Sequence, residues 1–363
     1  MIGLIVTSLA VSATPAAPAA CEQGAWRGTL GGVPVSISLD AANGVGIGPP
    51  TDRPPMGRYY YRTSLGDLTL VRDTKTGAWQ ELDAKERPTG QLILSCDAST
   101  LSGEWRSIDG SKRLPIAATA ISGEDYNAPR KAALQPKVEK TGDIGGRRFE
   151  QLRYAVPAGA GTKGQPLGVV HQGLKLLGTG PGLDALNNTL RAKAVEAVLG
   201  HVNCVAQGRQ DRGPEAGYES SQGQTVVAWN ATFAVISTWS EGYCGGAHPW
   251  HGDVVTTYRL DTGATVNTAA WLVPELRKEI PKTSALGRLL MKAYERTPNG
   301  PDAECRDEIQ WGGYAIHPTA RAVVFEGGTS YAMTPCAEDI ALPIDVIQPF
   351  LSPEGREAIK SFR

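Results

Sequence analysis

The sequence predicts an α+β protein: a β-rich N-terminal domain, either an antiparallel meander or a small barrel, followed by an α+β domain with an antiparallel sheet and one long helix. Three observations carry this expectation. Short runs with period-two alternation, punctuated by turn residues, fill the chain from Gly24 to about Ala120. One extended helical periodicity runs from Leu183 to Leu199. The strands that follow it do not alternate regularly with helices, which argues against a parallel α/β sheet. A length of 363 residues suggests two domains. The expected division is an export signal over 1–20, a β-rich domain over 21–122, a linker over 123–145 and the α+β domain over 146–363.

The N-terminus reads as a secretory signal. Ile2 to Ala13 is an apolar run of the right length for its hydrophobic core. It is too short to cross a bilayer, which takes about 20 apolar residues as a helix. Ala17-Pro18-Ala19 supplies an A-x-A cleavage site, although no Lys or Arg precedes the apolar run. The six cysteines, Cys21, Cys96, Cys204, Cys244, Cys305 and Cys336, are an even number, as disulfides in an oxidising compartment require. No C-x-x-C pair occurs. Order along the chain favours Cys21–Cys96, Cys204–Cys244 and Cys305–Cys336. A lipoprotein anchored at Cys21 is disfavoured, because Pro18 stands where a lipobox wants Leu and lipidation would strand one thiol. The expected location is therefore periplasmic or secreted. No later apolar run is long enough to span a membrane. With a net charge of -1 and no basic run, no nucleic-acid partner is expected.

In the first half, Val33, Val35, Ile37 and Leu39 alternate with polar neighbours, so the segment reads as a half-buried strand. Asn43-Gly44 marks a turn. Tyr59–Tyr61, Leu68–Val71, Trp79–Leu82, Gln91–Ser95 and Gly103–Ser107 supply further strands between Gly- and Asp-containing turns. The aromatics Tyr59, Tyr60, Tyr61, Trp79 and Trp105 either line a ligand face or pack in the core, and packing is favoured. Residues 124–140 are polar with two prolines and read as linker.

In the second half, Leu183, Leu186, Leu190, Ala194 and Val198 recur at helical spacing, with Gly200 as the stop. Thr225–Thr238 alternates throughout and reads as one long strand, with Val254–Leu260 as its partner. Further helices are expected at Pro274–Lys278, Thr283–Tyr294, Val346–Phe350 and Pro353–Ser361. Late strands are expected near Tyr314–Ile316, Ala322–Phe325 and Ile340–Ile344.

The segment Tyr243-Cys244-Gly245-Gly246-Ala247-His248-Pro249, followed by a strand and Thr262-Gly263, resembles the exported domain of the lysozyme-sensing anti-sigma factors of the RsiV type. The resemblance covers Phe149 to the C-terminus. It implies an α+β fold and a partner such as cell-wall glycan (peptidoglycan) or a lysozyme-like protein. Arg259 stands where that family tends to have Asp, and no anti-sigma role is expected.

His248 and His251, with Asp253 two residues on, are the candidate metal ligands, since imidazole and carboxylate suit zinc-type ions. They define the alternative function, a metal-assisted envelope hydrolase. An H-x-x-H spacing off a helix is a weak signal, and no G-x-S-x-G nucleophile motif occurs. Cys244 beside His248 suits a disulfide better than a thiol–imidazole pair. His171, His201 and His317 read as locally satisfied. The favoured expectation is a non-catalytic binding protein of the bacterial cell envelope, with no cofactor and no metal. Tyr243, His248, Trp250 and His251 would form its recognition surface, because aromatic anchors dominate binding hot spots.

Overall fold

A computed structural model describes residues 21, 23–40, 54–83, 87–155, 171–212 and 218–362. The expected export signal and the expected Asn43-Gly44 turn fall outside the described residues. The chain divides into two compact units: among the described residues the first takes the chain up to Ala132 together with residues 209–212, and the second takes the rest from Ala133 onward.

Eight strands form the first unit: β1 (Gly24–Leu30), β2 (Val33–Asp40), β3 (Met56–Tyr61), β4 (Leu68–Arg72), β5 (Trp79–Leu82), β6 (Pro88–Cys96), β7 (Thr100–Ser107) and β8 (Arg113–Ile121). Each pairs antiparallel with its neighbour, and β8 returns to β1, so the sheet is a closed barrel with no free edge. Alternation sends Val35, Ile37, Tyr59, Leu70, Trp79 and Leu92 into the lumen, all at most 1 % exposed. Closure depends on small residues. A Cβ at Gly28 of β1 would stand 2.0 Å from the Ala117 carbonyl of β8. The disulfide Cys21–Cys96 closes one end, where the Trp79 indole donates to the Cys21 carbonyl at 3.2 Å.

Residues 123–145 hold a 3-10 turn (Gly123–Asn127), α1 (Ala128–Ala133) and β9 (Lys137–Ile144). Their polar composition conceals one fully buried cation. Arg130 is 0 % exposed and ion-paired to Asp67. It donates to the Leu65 carbonyl at 2.7 Å and stacks over the Tyr60 ring at 3.8 Å. Tyr126 donates to Asp67 at 2.9 Å. Against the cost of burial, Arg130 and Arg58 hold the Asp67 carboxyl below its ordinary range.

The second unit contains a six-stranded sheet in the order β14-β13-β12-β11-β10-β9. Beyond β9 its members are β10 (Arg147–Tyr154), β11 (His171–Leu176), β12 (Glu219–Trp229), β13 (Phe233–Tyr243) and β14 (Trp250–Arg259). The expected antiparallel sheet is mixed at one seam: β11 and β12 run parallel, bridged at His171↔Gln222. A parallel neighbour needs a crossover, and α2 (Pro181–Arg212) supplies it. This helix runs past the expected stop. Gly200 lies on its exposed face, while His201, Val202, Cys204 and Val205 continue the buried one. Burial of that face outweighs the cost of one helical glycine, about 1 kcal/mol.

The expected single strand over Thr225–Thr238 is two strands. The Asn230 side chain accepts the backbone N–H groups of Thr232 and Phe233, each at 2.7 Å, and turns the chain between β12 and β13. Buried residues run without a break from Phe233 to Ser237, because β13 is covered on both faces. Ala234 and Ile236 join the α2 side with Leu183, Leu186 and Leu190. Phe233 and Val235 join the opposite side with Trp271, Trp311 and Phe325. That second layer comprises α3 (Ala285–Tyr294), α4 (Ala303–Glu308), β15 (Gln310–Pro318), β16 (Ala322–Gly328), β17 (Ile340–Pro343), α5 (Ile344–Ile347) and α6 (Pro353–Lys360). β15, β16 and β17 make a three-stranded antiparallel sheet. Cys204–Cys244 and Cys305–Cys336 are bonded in this unit. No helix among the described residues is long and apolar enough to cross a membrane.

Candidate functional site: the tip of the β13–β14 hairpin

The hairpin pairs in register from Phe233↔Arg259 to Gly242↔Trp250. Its loop can turn because Gly245 and Gly246 adopt φ values of 96 and 100°, a region that disfavours side chains. Two devices fix the loop. Cys244 is tied to Cys204 of α2, and the Tyr243 hydroxyl donates to the Gly246 carbonyl at 2.9 Å. Tyr243 also meets Tyr218 edge to face at 5.0 Å.

His248 stacks on Tyr331, with centroids 4.7 Å apart and planes at 29°. Its Nδ1 lies 2.9 Å from the Pro249 carbonyl. A carbonyl only accepts, so Nδ1 is the donor in this contact. Tyr331 is 71 % exposed, the most open large apolar side chain among the described residues. The exposed ring pair is therefore a preformed aromatic surface.

Alternation along β14 divides its side chains. His251 and Asp253 share the face turned toward the three-stranded sheet, whereas Trp250 and Val254 stand on the other. The expected surface residues are therefore split: His248 and His251 lie on the Tyr331 side, and exposed Trp250 lies across the strand. Trp239 stands opposite Asp253 and lies across Gly223, where a Cβ would meet its indole at 2.2 Å.

Carboxylates gather beside this face. Asp253 accepts the Ser237 hydroxyl at 2.8 Å. His317 of β15 lies 3.2 Å from Glu326 of β16. Asp339, just before β17, accepts the Gly327 N–H at 3.3 Å. Partial burial raises the Asp339 carboxyl, and the charges of Glu326 and Asp253 raise it further against the pull of His317. Tyr331, Trp239, Glu326 and Asp339 are absent from the sequence reading. Nothing in their local sequence marks them, because strand pairing and the chain reversal after β16 bring them together. Among the described residues no group of three or more His, Cys, Asp or Glu side chains is placed to hold a metal ion. His248, His251 and Asp253 thus do not converge as the hydrolase reading requires. Cys244 is disulfide-bonded, so it offers His248 no thiolate.

The barrel aromatics are structural. Tyr59 and Trp79 are each 1 % exposed. Glu81, 6 % exposed, accepts hydrogen bonds from Tyr59 at 2.5 Å, Trp105 at 2.8 Å and Thr89 at 2.5 Å. Three donors satisfy that carboxylate and pin β3, β5, β6 and β7 to one another. Burial and the neighbouring Glu81 charge push the Tyr59 phenol up, so it stays a donor.

No family model matches the sequence, and no curated protein matches it. Solved structures with a likeness include a DUF3298 family member from Bacteroides fragilis, at 13% identity and a TM-score of 0.41 over 64% of this chain and 98% of that one. Another is a DUF3298 family protein from Pseudomonas aeruginosa, at 17% identity and a TM-score of 0.39 over 56% and 94%.

Proposed function

We propose that the chain is an exported, non-catalytic binding protein of the bacterial cell envelope that engages its partner with the Tyr331 side of the β13–β14 hairpin. The observation that carries this is the His248–Tyr331 stack, an open aromatic surface held on a disulfide-fixed loop and bordered by Asp253, Glu326 and Asp339. Preorganised aromatic anchors lower the entropic cost of binding. The carboxylates complement a basic protein of the lysozyme type, and the ring faces suit sugar rings of peptidoglycan. The three disulfides fit an oxidising, extracytoplasmic location.

Retention of the full chain on immobilised lysozyme and on insoluble peptidoglycan tests the reading. Wild type is expected to bind one of them. Tyr331→Ala should weaken that binding roughly 30-fold, the loss of one aromatic hot spot of about 2 kcal/mol. Trp250→Ala, on the opposite face, should change it less than about threefold. Failure of wild type to bind either material would remove both proposed partners.

A further inference from the structure

Two enclosed imidazoles lie where the crossover helix meets the sheet. His171, the first residue of β11, is 2 % exposed, and His201 of α2 is 0 % exposed. Their rings meet edge to face at 5.4 Å. His201 Nδ1 accepts the Ser220 backbone N–H at 3.0 Å. An accepting ring nitrogen carries no proton, so the His201 proton sits on Nε2. Among the described residues, that atom and both nitrogens of His171 are buried with no hydrogen-bond partner. The same holds for the hydroxyl of Tyr154, which stands opposite His171 in the β10–β11 register.

The tautomer decides what this pair can do. A protonated Nε2 has no lone pair for a metal, so the two rings are not a half-built metal centre. A proton arriving at His201 has one place to go, the Nδ1 that already accepts from Ser220. The imidazolium would point an N–H at the Ser220 backbone N–H, donor against donor, so that N–H loses its acceptor while the new proton turns to the Ser220 hydroxyl, 3.3 Å from Nδ1. Ser220 is the second residue of β12 and pairs with Gly242, and Glu219 pairs with Tyr243. Tyr243 adjoins Cys244, whose disulfide returns to Cys204, three residues beyond His201 on α2.

We propose that the His171–His201 pair is an acid-sensitive latch: a proton taken up at His201 Nδ1 releases Ser220, frays the paired ends of β12 and β13, and loosens the tip of the β13–β14 hairpin. One consequence, weaker partner binding in acid, rests on the hairpin reading of the previous section.

On the adjoining strands the titratable groups are Tyr154 of β10, Glu219 of β12, and Glu241 and Tyr243 of β13. Helix α2 brings Arg191, whose charge acts on Tyr154, and Glu196. From β9, Glu139 is engaged with Gln172. Neither imidazole makes an ion pair with any of these among the described residues. Burial, and then the charge of His201, lower His171 from 6.5 to about 4, and burial lowers His201. A histidine lowered on folding leaves stability complete above 6.5 and withdraws it as pH falls from there toward about 4.

Hydrogen–deuterium exchange of the oxidised full chain, corrected for intrinsic rates, reads the latch without any partner. Between about pH 6.5 and about pH 5, protection in peptides spanning 218–224 and 240–247 should fall roughly 30-fold, one proton's linkage over about 1.5 pH units. Barrel peptides spanning 33–39 should change less than about threefold. His201→Asn keeps an acceptor for Ser220 and cannot titrate, so its two peptides should lose clearly less protection than those of wild type, with only His171 left to titrate. Equal acid loss in wild type and His201→Asn would overturn the proposal. If that variant fails to fold, titration of the wild-type imidazole signals decides: a His201 ring that protonates near its ordinary 6.5 with exchange unchanged overturns it equally. Lysozyme or peptidoglycan retention of wild type and Tyr331→Ala near neutral pH fails or succeeds independently of both readouts.

Discussion

Arg130 shows how much one side chain can organise. It reaches Asp67, Asn127 and the Leu65 carbonyl, and lies over Tyr60, while fully enclosed. Leu65 holds a φ of 60°, rare for a residue with a side chain, and its carbonyl is where the guanidinium docks. Replacing Arg130 with Leu would leave the buried Asp67 with only Arg58, at 3.4 Å, as its ion-pair partner among the described residues, at a cost of about 3 kcal/mol. Chemical denaturation of the variant should show that loss as a lower midpoint with an unchanged slope. The double change Arg130→Leu with Asp67→Leu should recover part of it, because removing both partners leaves no orphaned charge. A double-mutant cycle on the two positions measures the recovery.

At the scale of elements, Cys204–Cys244 joins the crossover helix to the hairpin loop across 40 residues of sequence. Closing a loop of that length restricts the unfolded chain by about 4 kcal/mol in the chain-entropy account. Cys204→Ser with Cys244→Ser should therefore lower the thermal midpoint and also weaken binding at Tyr331, because the loop that carries His248 loses its anchor. Differential scanning calorimetry and the retention assay check the two effects separately. The elements also show what a sequence reveals. The barrel strands β2 to β7 are legible because their alternation is clean and turn residues bound them. β1 and β8 escape notice because Gly28, Ala117 and Ala118 are chosen for close approach, not hydrophobicity. The turn at Asn230 is hidden because apolar alternation continues through it with neither Gly nor Pro. The parallel seam is hidden too, since His171 and Gln222 lie 51 positions apart and neither belongs to a βαβ pattern readable by period. Of the candidate site, the loop and its histidines are legible from local composition. Tyr331, Glu326 and Asp339 arrive through tertiary pairing, which no local pattern encodes.

For the whole molecule, the two units respond to acid through different groups. In the first unit the depressed Asp67 carboxyl contributes its stabilisation above its ordinary value of 3.8 and loses it as pH falls below that. In the second, the lowered histidines withdraw stability from 6.5 downward. Acid titration should loosen the second unit first, with the barrel persisting to below about pH 4. Exchange mass spectrometry of the intact chain resolves the order, and simultaneous loss of both units would contradict it. The disulfides carry a consequence for biogenesis. Their pairs, Cys21–Cys96, Cys204–Cys244 and Cys305–Cys336, are consecutive: no bridge encloses or interleaves with another. A chain threaded N-terminus first into an oxidising compartment meets each correct partner before the next cysteine emerges. Each closure is complete before a competing thiol exists. Oxidation during translocation would then yield the native connectivity without reshuffling, whereas oxidation of the fully released, unfolded chain would have to select it from 15 pairings.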